Sequence, residues 1–126
     1  MENNIANVFI NNGTRAAAIG LVHKCGVRAD LKGSDCLAEA IMLYAENRNK
    51  GFCEIYRIIA ERRGLKPKSV LRQISYALNA STDITERISE ITGLAFDEQD
   101  VHAARIIAYL ARLLALPEIM RKQSGG

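Results

Sequence analysis

The sequence predicts an all-α fold, a compact six-helix domain containing a helix-turn-helix. Apolar residues recur at helical spacing through most of the chain, no regular alternation of the kind that builds strands is visible, and glycines or a proline punctuate the pattern at element ends. With 126 residues, 48% hydrophobic and 25% charged, the chain is one domain that can bury a real core. A barrel enzyme or a doubly wound sheet does not fit in that length.

Residues 1–13 are rich in Asn, lack an apolar face and are expected to form a flexible arm; the helical domain is expected over 14–120 and a flexible tail over 121–126. Thr14 can cap a first helix that runs to Lys24 and stops at Cys25-Gly26. Ser34 is placed to cap a second helix from Asp35 to about Asn47, with Leu37, Ala40, Ile41 and Tyr44 on its buried side. The third carries Phe52, Ile55, Tyr56, Ile59 and Ala60 at i, i+3, i+4, i+7 and i+8, and Gly64 ends it. Pro67 suits the first turn of a fourth helix, whose buried side is Val70, Ile74, Ala77 and Leu78. Asp83 with Glu86 resembles a capping box for a short fifth helix ending near Gly93. The sixth is expected from about Glu98 to Leu116. Its only strongly polar residues after Val101 are His102, Arg105 and Arg112, which share one narrow sector. A helix so apolar must be enclosed by its own domain, by a second subunit, or by both. Ile106, Ile107, Leu110, Leu113 and Leu114 are accordingly the expected dimer contacts.

Function is legible chiefly in charge. The total is only +3, yet residues 57–72 carry six basic side chains against Glu61, and residues 83–100 carry six acids against Arg87. The second feature is the helix pair at 52–79, joined by the turn Arg63-Gly64-Leu65-Lys66, the second helix basic at its start. That is how a helix-turn-helix reads in sequence. On its outward arc Arg72, Ser69, Gln73, Ser75, Tyr76 and Asn79 are the candidates for base contacts. Lys66, Lys68, Arg57, Arg62 and Arg63 are the candidates for phosphate.

Other chemistry finds no support in the residues. Cys25, Cys36 and Cys53 are odd in number and lack C-x-x-C spacing, which fits buried thiols and no disulfide framework. His23 and His102 stand isolated, so no metal site, cofactor or catalytic pair is expected, and neither an enzymatic activity nor a small-molecule substrate. Glu2, Asn3 and Asn4 do not open a signal peptide, and Arg105 and Arg112 interrupt the last apolar run, so a cytoplasmic, nucleoid-associated protein off the membrane is expected.

The stretch from His23 to Gly33, with Gly26, Val27, Ala29, Leu31 and Lys32, followed by Leu37, Glu39, Ala40, Ile41 and Met42, resembles the C-terminal effector domain of the stage-zero sporulation response regulator family. The likeness extends through Ile55-Tyr56 and Ile59-Ala60 into the helix with Val70, Arg72, Ile74 and Ala77. It implies a bacterial transcription regulator that binds double-stranded DNA as a homodimer, its fourth helix in the major groove, with RNA polymerase a further candidate partner. The family's phosphorylated receiver domain has no counterpart in these residues, which fits an excised domain or a stand-alone relative. Of the family's base-contact positions only Arg72 matches; a glutamate and a second arginine are replaced by Leu71 and Ser75. The alternative is therefore a helical interaction and dimerisation module that no longer reads DNA.

Overall fold

The computed structural model describes residues 15–47 and 49–115; the expected arm, the Thr14 cap, Leu116 and the expected tail lie outside them. Among the described residues the chain forms six α-helices and no strand: α1 over residues 15–24, α2 Lys32–Glu46, α3 Phe52–Arg63, α4 Pro67–Asn79, α5 Ile84–Thr92 and α6 Ala103–Ala115, with a 3-10 turn Glu98–Asp100 before the last.

The centre of the domain is α2. It packs on α6, α4 and α3, and Gly33, Ser34, Cys36, Leu37, Ala38, Ala40, Ile41 and Leu43 are buried along it. Most of these are small, which lets three neighbours approach one helix closely. The tightest approach is at Gly33, where an added Cβ would strike the main-chain carbonyl of Gln73 and come 2.8 Å from the Ala77 Cβ. This contact explains why α2 begins earlier than its sequence suggests. Its N-cap is Leu31, and Ser34 lies buried in the first turn, where its amide donates to the Leu31 carbonyl at 3.1 Å. Continuing the helix backwards to Lys32 brings Gly33 against α4.

The apolar stripe of α3 behaves as its spacing requires, with Ile55, Tyr56, Ile59 and Ala60 buried. Tyr44 on α2 stacks on Phe52 of α3 with ring centres 5.0 Å apart, closing the link between these two helices. Gly64 terminates α3 in the left-handed region (φ 66°), and the Leu65 amide donates to the Ala60 carbonyl at 2.8 Å. Such a cap satisfies carbonyls that the helix end would otherwise leave without partners. Lys66 then serves as N-cap of α4 with Pro67 at the first helical position.

Three sequence expectations are revised beyond this point. Asp83 precedes α5 in the left-handed region (φ 55°) and makes no side-chain cap, so the box with Glu86 does not form. The reciprocal box forms instead at the 3-10 turn, between Asp97 and Asp100. That box turns the chain sharply, and Val101 is no longer helical, so α6 begins at Ala103 rather than Glu98.

The third revision concerns α6 itself. Ile106, Ile107 and Leu110 are wholly buried and Leu114 nearly so, all within this chain's own core. They are not left over for a second subunit; of the five expected dimer contacts only Leu113 is half-buried. His102, Arg105 and Arg112 form the exposed side, as their shared sector requires. The 13-residue helix faces α2, α4 and α5 together, which accounts for its wide apolar arc.

Cys25 and Cys36 are buried but Cys53 is exposed, so one of the three thiols departs from the expected burial. Burial pushes the Cys25 thiol up to about 12, against the pull of the nearby Arg87 guanidinium. Among the described residues, no helix is long and apolar enough to cross a membrane.

Candidate nucleic-acid interface

Val70, Ile74, Ala77 and Leu78 anchor α4 on the core. The helical period then forces the residues between them outward. Lys68, Leu71, Arg72, Tyr76 and Asn79 are exposed, Tyr76 by 65% of its surface, while Ser69, Gln73 and Ser75 lie half-buried at the edges of the arc. Lys68, Arg72, Tyr76 and Asn79 follow one line, spanning about 16 Å at 1.5 Å per residue. A helix with its side chains is about 10–12 Å across, and the major groove of B-DNA is about 12 Å wide.

The helix is firmly seated. Gly33 of α2 lies against its middle, and the Cys36 thiol donates to the Gln73 side-chain oxygen at 3.5 Å. Gln73 is thereby directed partly inward, which makes it a weaker base-contact candidate than Arg72. A groove of about 410 Å³ opens between residues 30–33 and the side chains of Arg72, Gln73 and Tyr76. Beside it Asp30 accepts two hydrogen bonds from Arg28, which hold its carboxyl below the usual carboxylate range.

The basic residues divide into two groups. Lys66 and Lys68 at the start of α4, with Arg72 one turn on, are exposed and have no ion pair among the described residues. The arginines of α3 are partnered. Arg57 lies 4.0 Å from Glu54, a pair too exposed to restrain it firmly. Arg62 and Arg63 share Glu39, one donating to each carboxylate oxygen at 3.1 and 3.3 Å. Glu39 belongs to α2 and keeps only 14% of its side chain exposed.

Along the chain Glu61 is the sole acid among these cations, and nothing in the sequence gives Glu39 a part in the site. No local signal could have linked it, since it is 23 residues from Arg62 and on a different helix. The acids between Asp83 and Asp100 form no ion pair with α3 or α4 among the described residues; Asp100 pairs with Arg105. His23 and His102 are both exposed, and among the described residues no three metal-binding side chains are grouped. In comparisons with known proteins, no protein family, no curated protein and no solved structure matches this chain.

Proposed function

We propose that this chain is a sequence-specific double-stranded DNA-binding transcription regulator that docks α4 in the major groove. The observation that carries the reading is the exposed line Lys68, Arg72, Tyr76 and Asn79 on a helix whose other side is locked into the core. α3, the turn at 64–66 and α4 then act as a helix-turn-helix. Arg72 reads a base, its planar fork matching the O6 and N7 edge of guanine. Asn79, Tyr76, Ser69, Ser75 and Gln73 are the neighbouring contacts. Lys66 and Lys68 meet phosphate at the N-terminus of α4, where main-chain N–H groups also favour an anion. The likeness of residues 23–42 to the sporulation-regulator effector domain supports the same reading, and with it a nucleoid-associated location and binding as a pair.

The test is selection of bound sequences from random duplex DNA with the wild type and Arg72→Ala. The expected result is a preferred sequence that loses its preference at one position, at about 1–3 kcal/mol of discrimination. An unchanged preference removes Arg72 from the reading role. Absence of any binding at low salt removes the whole proposal.

One observation favours a second reading. Leu65 in the turn and Leu71 on α4 are exposed by 37% and 39%, which gives the outward side of the helix pair an apolar component suited to a protein partner. Salt dependence separates the two. Phosphate binding weakens by a log–log slope of about −0.9 per phosphate neutralised, whereas an apolar contact is nearly salt-independent.

A further inference from the structure

We propose that Glu39 is an internal competitor of the DNA backbone, occupying Arg62 and Arg63 so that sequence-independent binding stays weak. The inference rests on the docking reading above and names a control built into the same surface.

Its basis is the contrast within the ion-pair cluster. Glu39 is set on the central helix between the buried Ala38 and Ala40, and its side chain is largely enclosed. Arg62 is different, with 58% of its side chain exposed, while Arg63 is 29% exposed. The carboxylate is therefore the fixed member and the Arg62 guanidinium the movable one. A phosphate offers two acceptor oxygens in much the same geometry as a carboxylate, so the two anions compete for the same N–H groups. For phosphate to capture both arginines fully, Glu39 must be left enclosed without a cation, which is unfavourable for a buried charge. That opposition is the same whatever the DNA sequence. Of the candidate cations it leaves Lys66, Lys68 and Arg72, which have no ion pair among the described residues, to engage without giving up a partner.

The experiment measures affinity for a mixed-sequence duplex between 50 and 200 mM salt for wild type, Glu39→Gln, Glu39→Asp, Arg62→Ala and the Glu39→Gln/Arg62→Ala pair. Glu39→Gln is expected to bind more tightly at low salt, with a slope steeper by about 0.9 for each arginine released. Two released arginines make the loss of affinity across that salt range roughly tenfold larger. Glu39→Asp keeps the charge and the wild-type slope. Arg62→Ala alone shifts the slope by clearly less than 0.9, because Arg62 is already occupied, but removes about 0.9 when made in Glu39→Gln. Arg62 is exposed, so its single variant decides the matter even if Glu39→Gln fails to fold. Wild-type binding with Glu39→Gln unchanged or weaker overturns the Glu39 assignment alone, as does a full loss of slope in the Arg62→Ala single variant. No binding by the folded proteins at 50 mM salt overturns the docking reading and this assignment together.

Discussion

Replacing Gly33 by alanine sets two well-characterised effects against each other. In a helix interior alanine is favoured over glycine by about 1 kcal/mol, because glycine loses more backbone freedom on folding, and the advantage is smaller in the first turn, where Gly33 stands. Here, however, the new Cβ would lie 2.6 Å from the Gln73 carbonyl carbon and 2.8 Å from the Ala77 Cβ, where ordinary contact begins at 3.4 Å. The obstacle is main chain and cannot rotate aside, so α2 and α4 must move apart by about an ångström. Such overpacking costs about 1–3 kcal/mol, and a rigid obstacle belongs at the upper end. The separation would also loosen the layer of Leu37, Ile74 and Ala77, all wholly buried. The net expectation is a loss of about 2 kcal/mol, read as a lower urea midpoint and as a Tm lower by roughly 10 °C for a domain of this size. Gly20→Ala is the matched control: it sits in α1 with nothing within 4 Å of an added Cβ among the described residues. It should gain up to about 1 kcal/mol. A Gly33→Ala protein as stable as the wild type, or more stable, would refute the claim that steric contact at α4 governs this position.

Three further expectations concern the turn glycine and the cysteines. At Gly64 there is open space but a left-handed backbone (φ 66°), so Gly64→Ala should destabilise by about 1 kcal/mol through conformation alone, checked by chemical denaturation. Of the three thiols, the exposed Cys53 should react promptly with a thiol reagent in the native protein while Cys25 and Cys36 react only on unfolding; three fast thiols would contradict the burial. The Cys25 thiol ionises at about 12 in the folded chain and at its ordinary 9.0 when unfolded, so its contribution is constant below pH 9. Above that the unfolded state ionises first, and stability should fall between pH 9 and about 12. The fall should be smaller in Cys25→Ala, measured by urea unfolding at pH 8 and about pH 10.

Most of the helices were legible because their causes are local. The stripe Phe52, Ile55, Tyr56, Ile59 and Ala60 requires only the 3.6-residue period, and the division of α4 into a buried Val70-Ile74-Ala77-Leu78 side and an outward arc follows from the same arithmetic. Gly64 and Pro67 mark their boundaries through backbone preferences that need no partner. Where local signals compete, the sequence alone does not decide between them. Ser34 and Asp83 are both good cap residues, yet Ser34 is buried in the first turn of α2 and Asp83 takes a left-handed conformation without capping.

What the amino-acid order determined by itself was the number of helices, their inward faces and the placement of the basic residues along the chain. The folded arrangement alone decided which helix is central, that Ile106, Ile107, Leu110 and Leu114 of α6 are buried in the chain's own core, and which cations have partners among the described residues. The physical reason is range. Helical period and capping act over three or four residues, whereas the enclosure of Gly33 by Gln73 joins positions 40 residues apart and the capture of Arg62 by Glu39 spans 23. Contacts of that kind exist only once separate helices have packed.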